Sequence, residues 1–246
     1  MTEEERKKII ELLRDDDNYY GDMGKQFLSN SNIKDLLENP LNLGKDNEKT
    51  VPLLAGGYFH TKILEPHKID KYKFINASTR NTNVYKEQSN GELTLLKSEV
   101  DDLNELTEII LNNDVCRNLI REGKIEYEVP NIVDLHGATW KCKADILNHS
   151  ERLIIDLKTT SDIDKFRQSA NMYNYDSQAY IYEKAFGYKF VFIVICKKSK
   201  RIGIYDCSER FLLSGQSKVV KAVEQYELFH NTLEFDPAQF FLSETL

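Results

Sequence analysis

The sequence lacks most of the signatures of specialised protein classes. Its four cysteines, Cys116, Cys142, Cys196 and Cys207, show no C-x-x-C spacing. Its absence argues against a structural zinc and against an iron–sulfur cluster, and leaves reduced, mostly buried thiols. No stretch reaches the roughly 18 consecutive apolar residues of a membrane span, and no signal-peptide pattern is present, so a soluble, cytoplasmic chain with no membrane partner is expected. A Gly-rich phosphate loop and a nucleophile elbow are both missing, and with them the cofactor signature that another enzyme class would need. Basic excess is missing too: 33 Lys and Arg stand against 40 Asp and Glu, a formal charge of −7. A phosphate backbone rewards the opposite balance, so any nucleic-acid contact must rest on local basic patches and on metal ions that offset the acids. No internal repeat, low-complexity tract or clean linker divides the 246 residues, of which 41% are hydrophobic and 30% charged. A chain of that length and composition buries a substantial single core.

What is present centres on residues 143–160, KADILNHSERLIIDLKTT. Asp145 lies near the end of one apolar strand, and Asp156 and Lys158 near the end of the next. Side chains two apart on a strand share a face, so Asp156 and Lys158 project together, and a hairpin-like pairing brings Asp145 beside them. Two carboxylates suit a magnesium or manganese ion, which prefers oxygen donors and can activate water or steady charge on a phosphoryl oxygen. An ammonium does not bind metals, which leaves Lys158 to orient or deprotonate the attacking water and to offset phosphate charge. An isolated D-x-K triplet also describes a solvated strand end with a salt bridge. The apolar run Leu153-Ile154-Ile155 favours a central strand, whose end is where α/β sheets bind ligands.

In chain order, the spacing predicts an amphipathic helix over Glu3 to Arg14, broken by Gly21 and Gly24, and a helix over 32–37 with Ser31 as its cap and Pro40 beyond its end. Ser29, Ser31 and Lys34 are candidates to hold a phosphate there, although an ordinary cap explains the same residues. Residues 50–65, TVPLLAGGYFHTKILE, read as a helix with Pro52 in its first turn and Pro66 as its stop. His60 inside it is either a hydrogen-bonded core residue or a ligand. Residues 66–90 are expected to be irregular apart from a strand-like segment at 72–75. Helices follow at 98–112 and 115–122, then strands at 125–130, 138–147 and 153–158. The alternation at 125–129 puts Glu126 and Glu128 opposite Tyr127, so either acid can face the cluster. A helical link at 162–172, a helix at 175–186 with Gln178 and Tyr182 on one face, an apolar strand at 188–196, a basic turn at 197–201, a strand at 202–205 and a helix at 209–229 complete the pattern. The aromatic tail, with Phe235, Phe240, Phe241 and Leu242, is expected to pack on its own domain or on a neighbouring subunit.

The order of strand, strand with Asp, strand with D-L-K, helix with Q-x-x-x-Y, strand resembles the PD-(D/E)XK nuclease superfamily, and more closely its RecB-like and exonuclease VIII (RecE-like) branch of phages and bacteria. The matching residues are Asp145 in KAD, Asp156 and Lys158 in DLKTT, Gln178 and Tyr182 in QAYIY, and His60 in GGYFHTKILEP. The resemblance covers about Ser29 to Phe229. It departs at Lys143-Ala144, where the family commonly has a Gly before the Asp motif. The cysteine pattern of the related iron–sulfur nucleases is absent.

The resemblance implies a restriction-endonuclease-like α/β core, a central mixed sheet flanked by helices, with a helical N-terminal elaboration. One nuclease domain would span 1–246, with a mostly helical part at 1–122, the catalytic core at 123–230 and a tail at 231–246. It implies that His60, Asp145, Asp156 and the Leu157 carbonyl ligate Mg2+ or Mn2+, that Lys158 positions the water, and that Gln178 and Tyr182 contact DNA or support the lysine. Glu128 is the matching acid on the preceding strand, and Lys143 and Thr159 join the residues expected near phosphate. The implied activity is exonucleolytic digestion of linear duplex DNA in phage-type recombination, with a structure-specific endonuclease or nickase and a catalytically spent DNA-binding module as alternatives. The implied partners are duplex ends, a single-strand annealing protein and further copies in a ring. Lys184, Lys189, Lys197, Lys198 and Arg201 are candidates for its channel, or for an ordinary solvated surface.

Overall fold

The computed structural model describes residues 1–45, 48–233 and 235–239. Helices come first. Thr2 and Glu5 form a capping box that starts α1 (Glu3–Leu12). The helix stops at Leu13, well before Gly21, because Asp15 accepts the Asn18 N–H and caps a separate short helix, α2 (Asp16–Tyr20). Then come α3 (Asn32–Glu38) and α4 (Val51–Leu64), the latter capped by Thr50 with Pro52 in its first turn. The segment expected to be irregular contains a 3-10 turn (Pro66–Lys71), β1 (Phe74–Ile75) and α5 (Asn83–Ser89). β1 pairs in parallel with β2 (Leu95–Leu96). Strands of two residues and a helix of seven are too short to print a period on the sequence. Two helices, α6 (Lys97–Asn112) and α7 (Asp114–Arg121), each with an acid in its first turn, lead into the sheet.

That sheet has the order β3-β4-β5-β6-β7, formed by β3 (Ile125–Leu135), β4 (Ala138–Asn148), β5 (Leu153–Thr160), β6 (Lys189–Cys196) and β7 (Ile202–Asp206). Only β5 and β6 run parallel, and the crossover between them carries α8 (Phe166–Met172) and α9 (Tyr175–Phe186). β3 continues past Pro130, where the sequence pattern suggested its end, because it is an edge strand and a missing N–H is tolerated there. α10 (Glu209–Tyr226) follows β7 and runs into a π turn (Glu227–Asn231). Of the aromatic tail, Phe235 packs edge-on against Phe229 at 4.8 Å, within its own domain. Phe240, Phe241 and Leu242 lie outside the described residues.

Both faces of the sheet are covered. α4, α6 and α7 bring Phe59, Ile63, Leu106, Ile110 and Ile120 onto Ile146, Ile155, Leu157, Ile193 and Ile195. On the other face, α8 and α9 set Phe166, Ala170 and Ala179 against Ala144, Ile154, Phe190, Phe192 and Val194. Each fully buried Leu, Ile or Phe contributes about 1.5–3 kcal/mol. Burial on both faces explains why the hydrophobic run on β6 is unbroken.

Helix α10 lies over α9 and meets it at Gly215. A Cβ there would sit 2.1 Å from the Asp176 carbonyl oxygen, whereas one at Gly56 in α4 would meet nothing within 4 Å. Gly215→Ala is therefore expected to cost about 1–3 kcal/mol and to lower the Tm by several degrees. Gly56→Ala is expected to gain about 0.4–1 kcal/mol. Thermal unfolding of the two variants checks the contact; equal Tm values would contradict it.

Candidate active site

The site lies where the sheet comes apart. β4 and β5 are paired only from Ile146 opposite Ile155 to Asn148 opposite Leu153. Beyond Ile146 the two strands diverge, and the Leu157 N–H turns to the Asp145 side chain instead, donating to Oδ2 at 3.0 Å. The same level carries a break in side-chain alternation. Tyr127 and Val129 are two apart yet pack on opposite faces, as do Ile146 and Ala144. A regular strand would put each pair on one face. The change falls at Glu128, whose φ of 51° is rare for a residue with a side chain. The alternation-based equivalence of Glu126 and Glu128 therefore fails. Glu126 pairs with His149 at 2.6 Å and with Arg14 at 3.8 Å, away from the cluster, and Glu128 alone faces it.

Into the gap come side chains from both faces. From α4, His60 Nδ1 lies 3.2 Å from Asp145 Oδ2 and its Nε2 lies 2.6 Å from the Leu157 carbonyl oxygen. From β5, Lys158 Nζ lies 2.5 Å from Asp156 Oδ2. From α9, Gln178 Nε2 donates to Asp156 Oδ1 at 2.6 Å. Gln178 thus holds the aspartate with which Lys158 is paired. Tyr182 lies one turn further on, where its hydroxyl accepts the Lys143 N–H at 3.4 Å and its ring packs on Phe190. It braces β4 from behind, where burial first, with Asp156 and Asp145 near enough to add to it, raises its phenol well above the ordinary value. Sequence reasoning missed Tyr175, whose ring lies 4.8 Å from Lys158 Nζ. It is three residues before Gln178, and that spacing on one helix face was the available signal.

The charges are unevenly matched. Burial opposes a charge on His60, but Asp145 outweighs it and raises the imidazole to about 9. Both ring nitrogens then carry protons, which agrees with oxygen partners on each. Asp145 is held below the usual carboxylate range, since His60 overcomes its burial. For Asp156 burial prevails over Lys158, and the carboxyl is raised. Burial lowers and the two aspartates raise Lys158, with a net upward shift that keeps it an ammonium. Glu128, pushed up to about 8 first by burial and then by Asp145, is neutral at pH 7.

Other sequence candidates are placed less simply. Lys143, expected to face DNA, is buried under α2, where it pairs with Asp16 at 2.7 Å and lies 4.2 Å from the Tyr19 ring centre. Asp16 also meets Lys68 at 3.3 Å, and Lys68 meets Glu65 at 2.7 Å. Thr159 projects from β5 on the face opposite Lys158. Ser31 has helical φ and ψ and makes no capping bond; its hydroxyl lies 2.8 Å from that of Ser29, which also donates to Asn32 Oδ1. Lys34 points along its own helix to Glu38 at 3.9 Å. Between the serines, Asn30 bonds to Ser177 and Asn174, so this turn leans on the start of α9. The five basic residues proposed for a channel do not form one patch. Lys189 pairs with Leu153 at the start of β5, while Lys197 follows β6 at the Thr160 end and Arg201 is taken by Asp164 at 3.1 Å.

Among the described residues no three His, Cys, Asp or Glu side chains already stand as a metal cage. The donor types nonetheless fit a hard cation. Asp145, Asp156 and the Leu157 carbonyl offer oxygen, and buried Asp156 Oδ2 makes no hydrogen bond of proper alignment even with Lys158 beside it. The His60 ring nitrogens meet two of those same oxygens, on Asp145 and on the Leu157 carbonyl.

A pH dependence of stability follows. His60 binds its proton more tightly folded, near 9, than at the ordinary value of 6.5, and Glu128 does likewise, near 8 against 4.5. The native state then holds the extra protons, so stability falls as pH rises. The His60 contribution is complete below about 6.5 and lost through about 9, at up to about 1.4 kcal/mol per pH unit. Urea unfolding of metal-free protein between those limits is expected to show this decline, with a shallower slope in His60→Gln. A flat wild-type profile would contradict the protonated bridge.

Comparison with known proteins agrees with this architecture. Residues 29–239 match the family model described as a PDDEXK-like domain of unknown function (DUF3799). A crystal structure from Eubacterium rectale, provisionally described as an exonuclease, superposes with a TM-score of 0.66 at 18% identity, over 94% of this chain and 95% of that one; at that identity the likeness concerns the fold. A phage-related exonuclease from Haemophilus somnus covers 82% of this chain and 93% of its own at 16% identity, with a TM-score of 0.36, too low to bear on the argument. No curated protein matches the sequence. With the five-stranded mixed sheet, its flanking helices and the match over most of its length, the chain belongs to the PDDEXK-like domain family and has the restriction-endonuclease-like fold.

Proposed function

We propose that the chain is a metal-dependent exodeoxyribonuclease that hydrolyses phosphodiesters of linear duplex DNA, in recombination of phage type. The observation that carries this reading is the meeting of His60, Asp145, Asp156, the Leu157 carbonyl, Lys158 and Gln178 in one opening of the sheet. Asp145, Asp156, the Leu157 carbonyl and His60 would hold Mg2+ or Mn2+, which when bound stabilises phosphoryl charge and makes water a better nucleophile.

The chain's own residues do the rest. Lys158, kept as an ammonium, donates to the attacking water or to a non-bridging phosphate oxygen and offsets its charge. It is not free to take a proton until Asp156 is engaged elsewhere, since that carboxylate is what holds its proton. Gln178 fixes one oxygen of Asp156 and leaves the other beside Lys158 without a well-aligned hydrogen bond. The Tyr175 ring confines the Lys158 side chain. Neutral Glu128 adds no charge repulsion to an incoming phosphate at pH 7.

Lys158→Ala is expected to reduce hydrolysis of linear duplex at least 100-fold. The matching assay sets linear against covalently closed circular DNA, with Mg2+, Mn2+ and EDTA. Loss of the linear form alone supports the exonuclease; cutting of circles would make the chain an endonuclease, and binding without cutting would make it a spent module. Metal binding must also displace protons from His60. Added Mn2+ is therefore expected to raise the Tm more at pH 8 than at pH 6, and an equal rise at both would count against His60 as a ligand.

A further inference from the structure

On the α9 side of the sheet, next to the catalytic opening, lies a second concavity of about 1170 Å³ between α8, β7 and α10. Three observations bear on its occupant. Its walls are aromatic: half-buried Tyr205 and Phe211 rest on buried Phe166 and Phe192, with Phe166 and Tyr205 centres 4.7 Å apart. Its rim is basic: Arg167 on α8 and Arg210 on α10 are exposed and make no ion pair among the described residues, while the lining acid is Asp206. The ammonium of Lys218 is already held by buried Asp176 at 2.8 Å.

The third observation is continuity with the cleft. Tyr175, the ring over Lys158, packs on Phe166 at 6.1 Å and on Phe192 at 5.7 Å, and so joins the wall of the concavity to the catalytic lysine. At the corner between α8 and α9, Met172 is 67% and Tyr173 58% exposed, and the Tyr173 ring lies 6.0 Å from Tyr175. Side by side next to the groove, Met172 and Tyr173 form an exposed patch that a partner can cover.

We propose that this groove binds a single strand of DNA entering or leaving the catalytic opening. The inference rests on the nuclease reading and adds a site to it. A duplex hides the faces of its bases, so stacking on Tyr173, Tyr205 and Phe211 requires unpaired nucleotides. Two unanswered guanidiniums on opposite rims suit a polyanion, and bidentate phosphate contacts suit arginine. A peptide strand added to the β7 edge would satisfy backbone groups but leave both arginines without a partner unless it were acidic.

The test is fluorescence anisotropy of a labelled oligothymidylate with the full chain in EDTA, across a range of salt. Replacing both Arg167 and Arg210 by Gln is expected to weaken binding about tenfold at physiological salt and to lower the slope of log K on log salt by about 1.4. Tyr173→Ala is expected to weaken binding about fivefold or more with the slope unchanged. Arg117→Gln, on the opposite face of the sheet, should alter neither. Wild-type protein that fails to bind, or double-variant protein that binds and responds to salt like wild type, would overturn the inference. If the double variant unfolds, each single Arg variant is expected to remove half the slope change. Hydrolysis of linear duplex by the same wild-type sample separates the two readings: cleavage without an effect of the variants sinks the groove alone, while no cleavage with any metal sinks the nuclease.

Discussion

The contact on which the site depends is the hydrogen bond from the Leu157 N–H to the Asp145 carboxylate. In an uninterrupted ladder that N–H would be paired with backbone of β4, and Asp145 and Asp156 would be locked into a closed sheet. Handing it to a side chain lets β4 leave β5 while the buried donor stays satisfied. On the other side of β5 nothing is lost, because its register with β6 runs unbroken from Leu153 to Thr160. One flank of β5 is therefore rigid and presents Asp156 and Lys158, and the other flank is open. The unusual backbone of Glu128 lies on the next strand at the same level, as expected of strain held by a packed surround at a working site.

The opening gathers three carboxyl groups, an imidazole and an ammonium out of bulk water, and the cost is contained by local pairing. Asp145 is matched with His60 and Asp156 with Lys158, while Glu128 takes a proton in place of a partner. This arrangement also answers the overall charge of −7. On the proposed nuclease reading, attraction for a phosphate backbone would come from a bound cation and one fixed lysine rather than from the whole surface. His60 lies across Asp145 and the Leu157 carbonyl, so a cation held there, as proposed, would have to displace its protons from those oxygens.

The parts legible in the sequence were those governed by simple periods. Asp156 and Lys158 share a face because they are two apart on a regular strand, and the apolar runs of β5 and β6 reported strands buried on both sides. The acid on β3 was not decidable, since a period of two treats Glu126 and Glu128 alike and a positive φ at Glu128 follows from no local preference. α2 was missed because five residues with their own cap leave no helical stripe, and Lys143 was read as a surface cation because nothing local announces that Asp16 and Tyr19 will cover it. Ser31 has the right residue type for a cap but lacks the extended backbone a cap requires. Family resemblance carried what periods did not, above all the placement of His60 in the cluster.

A crystal of the protein soaked in Mn2+ and measured at the manganese absorption edge tests the central claim most directly. An anomalous peak bounded by Asp145, Asp156 and the Leu157 carbonyl, with His60 no longer donating to that carbonyl, is the predicted result. A crystal with no peak in the opening between β4 and β5, and with the His60 bridge intact at saturating metal, would contradict the account.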